Sequence, residues 1–189
     1  MSTGISSSPK DQEILPFLKV DFLTLTRPHP IWTSVDPGNS YQVKGAVIQA
    51  TFLSGRYRTE RLKRHWSQSN PNGFCIMDSC NNLKLYDTIE HVLLQCPGLT
   101  DERRRLESFT YQYIKQQPLV QEIVLSYLFS DNIYDRCQFL LDCSVLPLVI
   151  RATQDHGHDI HHHCFRISRT WCRSLHLARL KKLGRFVSC

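Results

Sequence analysis

The sequence predicts a mainly α-helical protein: short helices around a small hairpin-helix knuckle rich in cysteine, with a long basic helix at the carboxy-terminal end. Three observations carry that prediction. Beyond Pro97-Gly98, apolar residues recur at three- and four-residue spacing almost to the end of the chain. Helix-starting and helix-ending residues punctuate that pattern. Between Phe74 and Pro97 the periodicity gives way to three cysteines and a histidine. A hydrophobic fraction of 41% beside 21% charged residues belongs to a chain that buries a core.

The elements follow in order. Residues 1–43, rich in Ser at the start and carrying Pro16, Pro28, Pro30 and Pro37, read as an extended or partly disordered arm. From Lys44 to Leu53, Val47, Ile48, Phe52 and Leu53 mark a helix that Ser54-Gly55 interrupts. A second short helix is expected from about Thr59 to Trp66, with Leu62 and Trp66 four apart. Ser69-Asn70-Pro71-Asn72-Gly73 is a turn. Past the knuckle, Thr100 is placed to cap a helix carrying Leu106, Phe109, Tyr113 and Ile114 on one face, which stops before Pro118. Another helix covers Leu119 to Leu128, and Asp131 is expected to cap the next, through Leu141. Pro147 suits a first helical turn, and Gly157 ends that helix. Asp159 then caps a final helix with Ile160, Cys164, Ile167, Trp171, Leu175 and Leu183 on its apolar side. The chain thus divides into an arm (1–43), a knuckle domain (44–108) and a helical region (109–189).

Charge is unevenly spread. The net charge is +6, and Lys plus Arg exceed Asp plus Glu by five in residues 44–66 and by six in 158–189. Two basic poles around a slightly acidic middle point to a polyanion partner, RNA or single-stranded DNA. The amino terminus lacks the basic-then-apolar pattern of a secretory signal. No apolar stretch approaches the ~20 residues of a membrane span. The expectation is an intracellular protein, nuclear or cytoplasmic, with no membrane partner. In such a compartment eight cysteines serve metal binding or core packing rather than disulfides.

Cys75, Cys80, His91 and Cys96 follow the spacing C-x4-C-x10-H-x4-C. Two cysteines a few residues apart can turn both thiolates to one side of a tight turn, and a second pair on a short helix completes the tetrahedron that Zn2+ prefers. Asn81-Asn82 tolerates a left-handed turn. Asp87 and Glu90, three apart, have the form of a capping box for a helix beginning near Thr88, with Ile89, Val92 and Leu93 facing the core. Pro97 disfavours α geometry at Cys96, so the last turn can open toward His91. Three thiolates and an imidazole leave no position for water or substrate, which makes the site structural rather than catalytic. Cys137, Cys143, Cys164 and Cys172 fall on apolar helix faces and read as core packing. His156, His158 and His161 to His163 point around their helix and read as a titratable surface rather than a second metal site. Neither a Ser/His/Asp set nor a phosphate-binding glycine loop stands out, so no enzyme is expected.

The segments Phe52-Leu53-Ser54-Gly55-Arg56-Tyr57-Arg58-Thr59, Thr88-Ile89-Glu90-His91-Val92-Leu93-Leu94-Gln95-Cys96-Pro97 and Arg103-Arg104-Arg105-Leu106 resemble the zinc-binding domain of reverse transcriptases, which follows the polymerase and ribonuclease H regions in many non-LTR retrotransposon polyproteins. The resemblance covers roughly residues 44–108. The closing Arg169-Thr170-Trp171-Cys172 and Leu183-Gly184-Arg185-Phe186 are similar to the tails of such proteins. The resemblance implies the same four ligands. It departs in one respect: that family more often has two residues between the first cysteines, and here Ile76-Met77-Asp78-Ser79 intervene. The polymerase itself is absent, with no Asp-Asp pair flanked by apolar strand residues.

The resulting expectation is a non-catalytic zinc module that binds nucleic acid. Arg56, Arg58, Arg61, Lys63 and Arg64 would contact phosphates, Tyr57 and Trp66 would stack on unpaired bases, and Lys181, Lys182 and Arg185 would extend the contact. The alternatives are a structural zinc module that presents a helical surface to a protein partner, or a decayed transposon fragment without selected activity.

Overall fold

One long helix organises the molecule, and its buried stripe explains why. The computed structural model describes residues 28–63, 70–157 and 159–185. Among them the elements are α1 (Pro30–Thr33), α2 (Ser40–Leu53), α3 (Glu60–Lys63), α4 (Asp78–Asn81), α5 (Thr100–Ile114), α6 (Pro118–Tyr127), α7 (Ile133–Asp142), α8 (Pro147–His156) and α9 (Asp159–Lys182). The fold is mainly α, as the periodicity predicts. Among the described residues the only β pairing is an isolated antiparallel bridge, Phe74 to Tyr86. No helix among them is long and apolar enough to cross a membrane.

On α9, Ile160, Cys164, Ile167, Trp171 and Leu175 recur every three or four residues and are all buried. Against this stripe pack α2, α5, α7 and α8. Helix α2 comes close to it at Gly45, where an added Cβ would lie 3.4 Å from Arg169 Cβ. The polar groups drawn into the core are satisfied there. Trp171 donates its indole N–H to Thr110 Oγ1 at 2.9 Å, and Gln49 Nε2 donates to Leu140 O at 2.9 Å and to Ser168 Oγ at 3.0 Å. One buried cluster runs from Ile31 to Leu175 and draws on both the 44–108 and the 109–189 segments.

Three boundaries differ from expectation. Residues 28–43 are not an extended arm: Pro30 starts the short α1, Ile31 is buried, and Arg169 donates to Ser34 Oγ at 2.6 Å and Ser34 O at 3.0 Å. Helix α2 begins at Ser40 because Asn39 Oδ1 accepts the N–H groups of Tyr41 and Gln42. Residues 1–27 of the arm lie outside the described residues. Asn132, not Asp131, caps α7, accepting from Tyr134 N at 2.9 Å. Phe109 is off the buried face of α5, which is instead Arg103, Leu106, Thr110 and Ile114. Gly157 ends α8 as expected, at a φ of +85° that favours glycine.

Candidate metal centre

The knuckle is built from backbone that is mostly neither α nor β. Gly73 opens it at φ +69°, and an added Cβ there would meet Arg61 Cα at 2.8 Å, so only glycine lets the turn lie against α3. Cys75 N donates to Leu85 O at 2.8 Å and Asp87 N to Gly73 O at 3.0 Å, which closes a minimal hairpin around the Phe74–Tyr86 bridge. Inside its loop, α4 carries Cys80. The left-handed residue is Lys84, at φ +48°, rather than Asn81-Asn82: α4 keeps Asn82 right-handed as its cap, so the reversal falls beyond it.

His91 and Cys96 come from a π-helical turn, His91–Gln95, followed by a 3-10 turn, Pro97–Leu99. Cys96 N donates to His91 O at 2.6 Å, the wide hydrogen bond that brings residues five apart to one side. The expected capping box is absent. Thr88 Oγ1 accepts from His91 N at 3.1 Å. The Asp87 carboxylate is used elsewhere, taking Arg179 Nη1 at 2.8 Å and Nη2 at 2.5 Å, and Glu60 N at 2.5 Å.

The four ligand atoms of Cys75, Cys80, His91 and Cys96 lie within 4.8 Å of one another, and all four residues are buried. Cys80 Sγ is 3.5 Å from His91 Nε2 and 3.5 Å from Cys96 Sγ. Backbone N–H groups face the sulfurs, that of Met77 on Cys75 and that of Gly98 on Cys80 and Cys96. An added Cβ at Gly98 would sit 2.7 Å from Met77 Cε and 2.8 Å from Ser79 Oγ, so both side chains would have to shift to admit one. Hydrogen bonding from Cys75 lowers the Cys96 thiol below its ordinary value, while the same bond and burial push Cys75 up to about 12. Burial raises Cys80 as well. Three sulfurs this close repel one another as thiolates, and a cation among them would relieve that repulsion. Arg103, itself buried, donates to Cys96 O at 2.6 Å and sets a positive charge beside the cluster. The arrangement can hold one metal ion, and among the described residues no other group of His, Cys, Asp or Glu can.

The other described cysteines, Cys137, Cys143, Cys164 and Cys172, are buried among the helices, and Cys189 lies outside the described residues. Of the histidines, His163 Nδ1 is paired with the Tyr113 hydroxyl at 2.5 Å and His156 is exposed.

The predicted nucleic-acid contacts fall into three groups. Arg56 and Arg58 are exposed, and so are Lys181 and Lys182. Lys63 pairs with Glu60 at 2.6 Å, Arg185 approaches the same carboxylate at 3.9 Å, and the Arg61 guanidinium lies 5.3 Å from the Tyr86 ring centroid. Tyr57 is not a stacking platform: it is only 6% exposed, stacked on Phe52 at 3.7 Å, with its hydroxyl 3.2 Å from His176 Nδ1. The turn at Gly55, φ +67°, folds Tyr57 back onto α2. Burial foremost raises its phenol to about 12. Arg64 and Trp66 lie outside the described residues.

What spacing did not reveal is that the two basic blocks meet. A cleft of 470 Å³ lies between the 56–58 loop, α3 and the end of α9, lined by Arg56, Arg58, Lys63, His176, Arg179 and Arg185 among others. Arg179 was detectable in principle, as a charged residue four after Leu175 on the buried stripe that had to find a partner. Burial works against its charge, but Asp87 outweighs burial and holds its pKa above the ordinary value. Compared with known proteins, the chain matches no family model, no curated protein and no solved structure.

Proposed function

We propose that the protein is a non-catalytic zinc module that binds RNA or single-stranded DNA, of the kind found at the carboxy-terminal end of retrotransposon reverse transcriptases. Zinc is favoured by the donor set and its dimensions. Tetrahedral zinc with Zn–S near 2.3 Å and Zn–N near 2.0–2.1 Å places sulfurs about 3.8 Å apart and sulfur and nitrogen about 3.5 Å apart; Cys80 Sγ is 3.5 Å from both Cys96 Sγ and His91 Nε2, and all four ligand atoms lie within 4.8 Å of one another. Three thiolates, a neutral imidazole and a dication leave one negative charge, which the buried Arg103 offsets. Four protein ligands fill a tetrahedron, so the metal supplies folding energy, on the order of 10 kcal/mol, rather than reactivity.

The observation that carries the nucleic-acid reading is the convergence of both basic blocks on one cleft. Coulomb repulsion opposes such clustering unless counter-charges answer it, and the protein's own carboxylates answer only part of it. The knuckle supports the cleft directly. Asp87 holds Arg179 and the amide of Glu60, and the Glu60 carboxylate holds Lys63 and Arg185. Arg56 and Arg58 have no ion-pair partner among the described residues and are left for phosphates. Binding of a single-stranded oligonucleotide should weaken with salt, by about 0.7 in log K per log unit of salt for each phosphate contact. Replacing Arg56→Glu and Arg58→Glu should abolish it while zinc content stays at one per chain by native mass spectrometry. A salt-independent interaction, or one indifferent to both substitutions, would point instead to a protein partner.

A further inference from the structure

A second cleft, of 600 Å³, opens where the first turn of α2 meets α5 and α9. Its walls carry three guanidiniums, Arg105 from α5 with Arg166 and Arg169 from α9, and no carboxylate lines it. Arg105 is mostly exposed and reaches Glu102 at 2.5 Å on its own helix. Arg166 lies 5.0 Å from the Tyr113 ring centroid and has no ion pair among the described residues. Arg169 is only 3% exposed, and the partners of its Nη1 and Nη2 are the neutral Ser34 hydroxyl and carbonyl. Its charge is therefore buried without a counter-charge, an arrangement that costs stability unless an anion answers it. Burial brings the Arg169 guanidinium down to about 10, and the nearby Arg166 pushes the same way.

Two aromatic rings complete the cleft. Tyr41 is 45% exposed and Phe109 40%, so both rings are open to solvent at the cleft. Tyr41 already carries the Arg173 guanidinium 3.9 Å from its ring centroid. On α9, Arg166, Thr170, Arg173, His176 and Leu180 recur at three- and four-residue spacing and so share one side of the helix. Arg166 and Thr170 line this cleft, and His176 and Leu180 line the one beside Arg56 and Arg58. Ten helical residues separate Arg166 from His176, about 15 Å along the axis, within reach of a few nucleotides.

We infer that this cleft is a second phosphate-binding subsite, which holds the backbone of the same single strand while Tyr41 and Phe109 stack on its bases. The inference rests on the nucleic-acid reading above and extends it to a continuous track along α9, with Arg173 between the two clefts. Cations that track the backbone and rings that take any base are the usual means of gripping single strands without sequence preference.

The test uses the full zinc-loaded chain and a fluorescent single-stranded oligonucleotide of about 12 nucleotides, a length within the range of known single-strand sites. Arg105→Glu with Arg166→Glu should lower affinity at least tenfold and reduce the salt slope by about 1.4, two contacts' worth, with zinc content and melting temperature unchanged. Arg151→Glu, on the exposed side of α8 and outside both clefts, reports what a charge reversal elsewhere costs and should change affinity little. An oligonucleotide carrying 5-iodouracil should photo-crosslink to Tyr41 or Phe109. Full affinity in the Arg105/Arg166 variant, with loss only on reversing Arg56 and Arg58, overturns the subsite and leaves the nucleic-acid function standing. So does an equal loss from Arg151→Glu. A wild-type protein that binds no oligonucleotide overturns both.

Discussion

The molecule contains two sets of buried cysteines that differ in almost everything except burial. Cys75, Cys80 and Cys96 come from a hairpin, a single helical turn and the end of a π-helical turn, where backbone N–H groups are free to face sulfur. Cys137, Cys164 and Cys172 sit inside α7 and α9, whose N–H groups belong to the helical ladder, and Cys143 begins the 3-10 turn after α7. Cys172 Sγ acts as a donor and gives its proton to Leu140 O at 3.4 Å. Burial foremost holds the thiols of Cys137, Cys143 and Cys172 above their ordinary range. The comparison teaches that burial alone does not mark a metal ligand. Convergence of several donors on one point, on backbone irregular enough to solvate the sulfurs, does.

The largest test of this contrast is chelation. If the cluster holds zinc as proposed, removing the metal should cost on the order of 10 kcal/mol of ordering in the knuckle and much less in the helices. In a Cys189→Ser background, a thiol reagent should then react with Cys75, Cys80 and Cys96 under native conditions, while the four helical cysteines wait for global unfolding. Simultaneous reaction of all seven would break the distinction. Next in size is the tie between the two regions, the Asp87–Arg179 pair, both members of which are buried. Asp87→Ala should cost about 3–5 kcal/mol by urea unfolding, because it strands a buried guanidinium. Adding Arg179→Met should recover most of that loss, and strictly additive losses would show that the pair is not coupled.

What was legible in the sequence was local. The metal set spans a short stretch, so spacing alone assembled it. Pro147 and Gly157, or the apolar series from Ile160 to Leu175, specify their helices without reference to the rest of the chain. The misses share a physical cause. Asp87 looked like a cap because its true partner is 92 residues away. Tyr57 looked free because its burial depends on a turn at Gly55 that returns it to Phe52. Asn132 and Asp131 are near-equal caps by residue type, so type alone could not choose between neighbours. The guanidiniums of the second cleft come from α5 and α9, sixty residues and more apart, and no local pattern joins them.

Smaller effects sharpen the same comparison through pH. A thiol whose folded pKa lies above its unfolded value of about 8.5 keeps, in the folded state, a proton that the unfolded chain loses. Its contribution is complete below that value and is lost as pH rises toward the folded one, by up to about 1.4 kcal/mol per pH unit for each thiol. Cys137, Cys143 and Cys172 all have raised values. The zinc-loaded protein should therefore lose stability between about pH 8.5 and 10. Thiolates holding the proposed zinc would have no proton to lose and should add nothing to that slope. Cys172→Ala should cost only about 1 kcal/mol at neutral pH, since the sulfur acts there as a small apolar group. It should also flatten the alkaline slope and leave the zinc content unchanged. Cys80→Ala should do the reverse, with zinc lost and the contribution of the helical thiols to the slope retained. An alkaline slope indifferent to Cys172 would mean that its thiol is not held protonated by the core, and the line drawn between the two sets would have to move.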